Sequence, residues 1–405
     1  MAVRLFTARF PRSAVLGLVS LLVLYGVLAL LAQVTHVDVE LCRVFSGIVS
    51  RGGIGNVSRS TGSLPGPAIL PYNEKNAGDQ LVVAERAERP IPAGARRAKA
   101  ALVKHPFMEN RNYKESTCPK RVSSIALYSK WFKERFKPNI KVFLDEEDSG
   151  NFDSLAKYGL PFGYKKESKQ LFQKILGHPK FSNSSAHPNG TRKQCLRCAV
   201  VGCGGILKDS GAGPEIDSHD YVFRLNRAIS SGKFEKDVGK KTSFYIFFPE
   251  SMSVRDVSDK DATYIYTMFK TYDMNYALNM LNKEDTPRYT SFGIELYHLA
   301  KPNVDPTKVK IVHPDFFRYV FAEYLNAISY RPTTGAMTVF LALHLCDEVT
   351  IYGFGYDPRF TMHYYDTSFV KHTDVSTGSH DVDNERFLWS KLHQEGVIRL
   401  FKRDI

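Results

Sequence analysis

The sequence has only six cysteines, and they do not form the two close pairs that a zinc ribbon needs. Cys195 and Cys198 make a single Cys-x-x-Cys, and the others are isolated: Cys42, Cys118, Cys203 and Cys346. A thioredoxin-like motif would place its cysteines at the start of a helix, whereas these lie just before and on an apolar strand. Disulfides to distant partners in an oxidising compartment fit the spacing better.

The chain also lacks a run of lysine and arginine interleaved with aromatic residues, although its formal net charge is +13. Such a charge suits either a solvated basic surface or an anionic small-molecule substrate, and it does not choose between them. Nucleic-acid binding is not predicted. There is no internal repeat and no coiled-coil heptad, so an extended repeat architecture is excluded as well.

One long apolar run is present, at residues 14–34, and it carries no charge. At about 1.5 Å per residue it spans a bilayer core of about 30 Å. Arginines precede it and acidic residues follow it, which places the N-terminus in the cytosol and the rest in the lumen. The run is longer than the apolar part of a signal peptide and ends in a poor cleavage site, so an uncleaved anchor is favoured over a cleaved signal.

The sequence divides into four predicted parts. They are a cytosolic tail at 1–13, the anchor at 14–34, a stem at 35–111 that is rich in Gly, Ser, Pro and charge, and a lumenal catalytic domain at 112–405. Three glycosylation acceptor triplets agree with a lumenal location: Asn56, Asn183 and Asn189.

Within the last part, apolar runs alternate with amphipathic segments. Strands are predicted at 139–145, 198–202, 221–226, 308–314 and 348–354. Helices are predicted at 165–176, 214–219, 315–325 and 332–346. This alternation predicts an α/β fold with a mainly parallel central sheet.

A glycine-rich turn follows the strand at 198–202. Gly202 and Gly204 match the first two positions of the dinucleotide pattern G-x-G-x-x-G, but Leu207 occupies the third, where glycine lets the helix pack on the strand. The pattern therefore does not specify NAD. Gly202, Gly204, Gly205 and Asn226 would all lie at the carboxyl ends of parallel strands, where ligands bind, and this favours a nucleotide.

A second anion site is predicted at the start of the helix near residue 333. Thr333 and Thr334 supply hydroxyls and Gly335 an amide beside the helix N-terminus, where unpaired N–H groups attract a carboxylate or phosphate. The alternative is that one of the threonines simply caps the helix.

Histidines cluster near the C-terminus, at His363, His372 and His380, with Glu385 following. Histidine serves as a general acid or base near neutral pH, although a lone histidine is usually structural. Asp381 and Asp383 form a D-x-D pair of the kind that holds Mn²⁺ or Mg²⁺ in many glycosyltransferases. Such pairs are common by chance, and this one is placed in a polar loop, so no metal site is predicted.

These motifs together resemble those of the animal sialyltransferases. The stretch "CLRCAVVGCGGILKDSGAGPEIDSHDYVFRLNRA" is similar to the large sialylmotif, and "YRPTTGAMTVFLALHLCDEVTIYGF" lies in a segment similar to the small one. "HYYD" is similar to the third motif, and His380 with Glu385 to the very small His-x4-Glu motif. The resemblance implies a single Rossmann-like (GT-A variant) domain and a Golgi type II membrane protein.

Within this family the chain most resembles the α2,6-sialyltransferases that act on N-acetylgalactosamine O-linked to Ser or Thr. "YRPTTGA", "LHQEGVIRLFKR" and "LAKYGLPFGY" carry that similarity. "FFPES" and "CDEVTIYGFGYD" resemble instead the α2,3 branch, which uses galactose acceptors, including lactosylceramide.

The resemblance implies a donor site for CMP-sialic acid. Asn226 and the glycine turn would contact the CMP moiety, and the start of the helix near residue 333 would hold the donor and its carboxylate. The donor-binding residues so implied are Gly202, Cys203, Gly204, Gly205, Asn226, Thr333, Thr334, Gly335 and Tyr364. Cys203 stands where the family usually has Asn, and a thiol is the weaker donor. A catalytically weak lumenal binding protein is therefore a second hypothesis.

The implied catalytic residues are His380, the base for the acceptor hydroxyl, and His363, which would hydrogen-bond the departing phosphate. The resemblance also implies disulfides between Cys198 and Cys346 and between Cys118 and Cys195. Transfer should invert configuration through an oxocarbenium-like transition state.

The departing CMP is a monophosphate that histidines can stabilise, so we expect no metal and no cofactor. The partners expected are CMP-sialic acid, a glycoprotein or glycolipid acceptor and the membrane, with a homodimer as one option.

Overall fold

The computed structural model describes residues 91–125, 127–181, 195–226, 228–251, 259–285, 288–291, 294–298, 304–355, 357, 359–367 and 380–403. They belong to one compact unit, Ala87–Ile405. The predicted tail and anchor, most of the predicted stem and the three glycosylation acceptors lie outside the described residues, as does His372. In the described ranges, no helix has both the length and the apolarity to cross a bilayer.

The described helices and strands alternate through most of the chain. The α-helices are α1 Ala93–Leu102, α2 Val122–Ile125, α3 Lys130–Lys133, α4 Phe152–Leu155, α5 Lys169–Leu176, α6 Gly213–Asp217, α7 Glu235–Val238, α8 Thr271–Asn282, α9 Pro314–Tyr319, α10 Thr334–Leu345 and α11 Val382–Gln394. The strands are β1 Arg197–Val201, β2 Tyr221–Leu225, β3 Phe244–Phe247, β4 Thr263–Tyr266, β5 Arg288–Ser291, β6 Ile294–His298, β7 Val309–Ile311, β8 Glu348–Tyr352 and β9 Arg399–Leu400.

The centre of the unit is a sheet in the order β7-β4-β3-β2-β1-β8-β9, seven strands in the part of the chain that the structure describes. All six neighbouring pairs in this sheet are parallel, and β1 lies between β2 and β8. Strands β5 and β6 form a separate antiparallel pair. The predicted α/β class with a parallel sheet is confirmed.

The sheet is buried on both faces, which explains why its central strands read as continuous apolar runs. Val200 and Phe223 lie in a hydrophobic cluster with α10 on one face, whereas Ala199 and Val222 lie in a cluster on the other. Helix α10 is apolar all round, and its residues 336–343 are buried beneath β1, β2, β3 and β8. A helix of this kind is stable only inside a core.

Two predicted elements differ from the structure. Residues 139–145 form no strand, because only Ile140 and Phe143 make isolated bridges, to Glu109 and Val312. The helix predicted at 315–325 ends as α9 at Tyr319 and continues as one π-helical turn, Val320–Tyr324. The wider π turn leads into the segment that precedes α10.

Residues 102–108 pack on the core, although they lie in the predicted stem. The guanidinium of Arg318, 1% exposed, donates to the carbonyls of Leu102, His105 and Pro106. Asp315 accepts from the backbone N–H of Met108 at 2.9 Å. This part of the chain is held by contacts that its own low-complexity sequence does not reveal.

Both predicted disulfides are confirmed. Cys118 is bonded to Cys195, and Cys198 to Cys346. The second bridge joins the start of β1 to the C-terminal end of α10, and its two cysteines are 148 residues apart in the sequence. Cys203 is a free thiol.

Candidate active site

The carboxyl ends of β1, β2 and β8 lie side by side and carry the predicted donor residues. The turn after β1 is bonded to the turn after β8: the N–H of Gly202 donates to the carbonyl of Tyr352 at 2.8 Å, and that of Gly204 to the carbonyl of Gly353 at 3.0 Å. Asn226 follows β2. The parallel topology thus assembles residues that are far apart in sequence.

The glycines after β1 are required by close packing of the chain against itself. A Cβ at Gly202 or Gly204 would lie 2.8 or 2.6 Å from the carbonyl oxygen of Gly353. A Cβ at Gly205 would lie 2.1 Å from the carbonyl oxygen of Thr361. The space where those Cβ atoms would lie is taken by Gly353, Phe354 and Thr361.

Thr333 caps helix α10, which is one of the two roles predicted for it. Its hydroxyl accepts from the N–H of Ala336 at 3.0 Å. The N–H and hydroxyl of Thr333 also donate to the two carboxylate oxygens of Glu385, at 2.8 and 2.5 Å. Glu385 therefore ties the start of α10 to α11, a contact that the sequence analysis missed.

The carboxyl group of Glu385 is buried, 4% exposed. Burial raises its pKa to about 7, the hydrogen bonds from Thr333 oppose that rise, and the charge of Asp381 adds to it. Burial wins because the carboxylate lacks a cationic partner in hydrogen-bonding reach among the described residues. Its protonation state can therefore change near neutral pH.

A cavity of about 180 Å³ brings several predicted residues together. Gly204, Gly205, Thr333, His363 and Glu385 line it, with apolar side chains that include Phe354, Phe360 and Trp389. A larger cavity, about 580 Å³, lies at the amino ends of β1 and β8. Its charged groups pair with one another, as Arg399 does with Glu215. We assign the site to the smaller cavity because the carboxyl ends of the strands converge there.

His363 lies at this cavity and is 29% exposed. Its Nδ1 lies 2.7 Å from a carboxylate oxygen of Asp366, and because a carboxylate only accepts, Nδ1 carries the proton. The ring stacks on Tyr365 with centroids 5.0 Å apart. Tyr364, predicted to contact the donor, is 1% exposed, and its hydroxyl donates to the carbonyl of Ile229. This bond holds the loop that contains Tyr364 against Ile229.

His380 is half-buried and directly precedes the N-cap of α11. Its Nδ1 donates to the carbonyl of Arg331 at 3.0 Å, since a carbonyl can only accept. In the neutral ring this bond puts the basic lone pair on Nε2. The next residue, Asp381, accepts from the N–H of Asn384 and caps the helix. The D-x-D pair therefore lies at a helix start and not in a polar loop, which corrects the prediction.

Asn226 has a left-handed backbone, φ 52°. Its carbonyl accepts from the hydroxyl of Tyr245, and its N–H donates to the carbonyl of Ile246. The side-chain oxygen of Asn226 is buried and has no hydrogen-bond partner in the described part of the chain. A buried acceptor without a partner is costly, and a bound ligand or water could satisfy it.

Cys203 lies in the turn after β1, between Gly202 and Gly204. Its carbonyl accepts from the N–H of Tyr364, and burial raises the pKa of its thiol to about 11, opposed by a hydrogen bond with Tyr365. The thiol is therefore protonated at neutral pH and offers only weak hydrogen bonding.

Comparison with known proteins identifies the family. The model of glycosyltransferase family 29 (sialyltransferase) matches residues 143–397. Human alpha-N-acetylgalactosaminide alpha-2,6-sialyltransferase 1 is 35% identical over 319 residues, which cover 71% of this chain and 52% of the human protein. Human CMP-N-acetylneuraminate-beta-galactosamide-alpha-2,3-sialyltransferase 1 is 33% identical over 300 residues, or 72% of this chain and 83% of that protein.

A solved structure agrees with these matches. The crystal structure of a mammalian sialyltransferase in complex with Gal-beta-1-3GalNAc-ortho-nitrophenol has a TM-score of 0.54 and 30% identity, and the match covers 72% of this chain and 100% of that one. The chain spans about half the length of the human alpha-2,6 relative. It belongs to glycosyltransferase family 29, the sialyltransferase family.

Proposed function

We propose that this protein transfers sialic acid from CMP-sialic acid to the 6-hydroxyl of N-acetylgalactosamine O-linked to glycoproteins. The observation that carries the proposal is the environment of His380. Its Nδ1–H is held by the Arg331 carbonyl, so Nε2 is the basic atom, and the following helix is tied through Glu385 to the start of α10. This arrangement suits a general base placed beside an anion-binding helix N-terminus.

The donor would occupy the edge where β1, β2 and α10 meet. The unpartnered oxygen of Asn226 is an acceptor suited to the CMP moiety, together with the Gly202–Gly205 turn. Thr334, Gly335 and the N–H groups of the first turn of α10 would hold the sialic acid carboxylate. Thr333 contributes mainly as the cap that fixes this turn.

The reaction follows from these positions. His380 removes the proton of the acceptor hydroxyl as that oxygen attacks the anomeric carbon, and the bond to CMP breaks on the opposite face, so the configuration inverts. His363 would donate from Nε2–H to the departing phosphate, so its ring must carry a proton on Nε2 as well as the Nδ1–H that Asp366 accepts. A monophosphate needs no divalent cation for this, and we propose a metal-independent enzyme without a cofactor.

Two acceptors compete in this proposal, N-acetylgalactosamine with an α2,6 linkage and galactose with an α2,3 linkage. The similarity to the alpha-2,6 relative supports N-acetylgalactosamine as acceptor. The similarity to the alpha-2,3 relative, and to a structure holding Gal-beta-1-3GalNAc, supports transfer to galactose instead. We further propose a single-pass type II Golgi protein with the catalytic unit in the lumen, on the strength of the charge-flanked apolar run at 14–34.

The deciding experiment measures transfer from CMP-sialic acid in EDTA, with asialomucin and with lactosylceramide as acceptors, and identifies the linkage of any product. An α2,6 product on the mucin supports the whole proposal. Product on lactosylceramide moves the protein to the α2,3 branch, and activity only with added metal refutes metal independence. Binding of CMP without transfer to either acceptor would favour the binding-protein hypothesis raised by Cys203.

A further inference from the structure

The segment 325–331, which leads into α10, is held by Asn384 of α11 and by His380, which precedes the N-cap of that helix. The side-chain amide of Asn384 donates to the carbonyl of Leu325 at 3.3 Å. The ring of His380 donates to the carbonyl of Arg331 at 3.0 Å. The position of this segment therefore determines where the hydrogen-bond acceptor of His380 lies.

The same segment is held from the other side by α1. The ammonium of Lys99 donates to the side-chain oxygen of Asn326 at 3.3 Å and pairs with Glu323 at 3.8 Å. Lys99 and Glu323 are 27% and 19% exposed, so the pair is partly shielded from water. Lys99 therefore places a positive charge of α1 next to this segment.

The backbone of the segment is strained. Asn326, Ala327 and Ser329 have φ angles of 54°, 53° and 75°, in the left-handed region that residues other than glycine rarely adopt. This conformation is unfavourable for alanine and serine and less so for asparagine, so it persists where neighbouring contacts hold it. Asn326, which accepts from Lys99, is one of the three.

The C-terminal end of helix α1 is anchored to the core. Buried Arg318 bonds to the carbonyls that follow α1, and Asp315 to the N–H of Met108. A displacement of Lys99 relative to the core is therefore resisted by several hydrogen bonds at once. The family model begins only at residue 143, so this support lies upstream of the matched domain.

We propose that Lys99 is a positioning residue for His380, acting through Asn326 and the strained segment 325–331. Without its ammonium the segment relaxes, the Arg331 carbonyl moves, and the imidazole loses the acceptor that selects its Nδ1–H tautomer. The inference rests on the proposed role of His380 as base. It gives Lys99, and the backbone contacts that fix the C-terminal end of α1, a part in orienting the proposed base.

The test uses Lys99→Met in the full-length chain. The variant should lower kcat for transfer by about threefold to tenfold, the range expected for residues that act through a neighbour, while the KM for CMP-sialic acid stays unchanged. Nitrogen NMR shifts of His380, assigned from their absence in His380→Ala, should show a smaller fraction of the Nδ1–H tautomer. Lys99→Arg keeps the positive charge and should have the kcat and the tautomer fraction of the wild type. Lys104→Met, at an exposed lysine just after α1, should also match the wild type.

Asn326→Gly provides a second variant that does not depend on the stability of α1. Glycine tolerates the left-handed φ, so this change removes the acceptor without adding strain. It should lower kcat as Lys99→Met does, and the double variant should be no worse than either one. Wild-type kcat in Asn326→Gly, or additive losses in the double variant, would overturn the proposal. If His380→Ala keeps transfer activity, the proposed base is wrong, yet the tautomer measurement still decides whether Lys99 orients this ring.

Discussion

Replacement of Glu385 by glutamine should change how the stability of the protein depends on pH. Glu385 is buried against Thr333, and burial raises its pKa to about 7 from the ordinary value of 4.5. Between these two pH values the folded protein holds a proton that the unfolded chain has released. The free energy of unfolding therefore falls as pH rises from about 4.5 to about 7.

The size of the effect follows from that interval. Each pH unit contributes about 1.4 kcal/mol, so the carboxyl of Glu385 makes the folded state about 3 kcal/mol less stable at pH 7.5 than at pH 4. Glutamine has nearly the same shape and does not ionise, so Glu385→Gln removes this dependence. The free energy of unfolding of the variant, taken relative to that of the wild type, should therefore rise by about 3 kcal/mol from pH 4 to pH 7.5.

Urea unfolding at several pH values, followed by tryptophan fluorescence, measures this difference. Trp389 is buried one turn along α11 from Glu385 and reports on the same helix. A matched control is Glu395→Gln at the end of that helix, where hydrogen bonds from Lys391 and Ser129 lower the pKa of the glutamate. Parallel curves for wild type and Glu385→Gln across this pH range would refute the reasoning.

Three further predictions concern the site. His380→Ala should reduce transfer by about 10²-fold or more and leave CMP binding intact, so near wild-type turnover would eliminate it as the base. Cys203, with its pKa raised to about 11 by burial, should react with iodoacetamide at pH 7.5 about 10²-fold more slowly than a free thiol, as measured by mass spectrometry of its peptide. Gly205→Ala should destabilise the fold by about 1–3 kcal/mol, because its Cβ meets the carbonyl of Thr361, whereas Gly159→Ala, with open space around it, should be nearly neutral in thermal unfolding.

The elements that could be predicted from the sequence are those with a clear local pattern. Apolar runs indicated β1, β2, β7 and β8, and a turn followed by a long apolar stretch indicated α10. The four-residue strands β3 and β4 are not predicted from the sequence. Helix α11 was read as a polar loop, since its first turn contains Asp383 and Glu385 and its apolar face is narrow.

The sequence predicts which residues belong to the site, but it does not predict the contacts between them. The disulfides and the histidines followed from the resemblance to sialyltransferases. The bond between Glu385 and Thr333 joins residues 52 apart and depends on how deeply the helices pack, which no local pattern encodes. The contact of Lys99 with Asn326 spans 227 residues and lies in a part of the sequence that reads as a linker.

The bridge between Cys198 and Cys346 also orders events during biosynthesis. Cys195 can find Cys118, 77 residues behind it, as soon as both have emerged, whereas Cys198 must wait for a partner 148 residues ahead. At about 5–20 residues per second, synthesis of that stretch takes on the order of ten seconds or more. Throughout this interval Cys198 lacks its native partner, and Cys195 and Cys203 are the wrong partners nearest to it in the sequence. Correct pairing therefore favours early closure of the first bridge and places a demand on the thiol–disulfide exchange machinery of the compartment in which the chain matures.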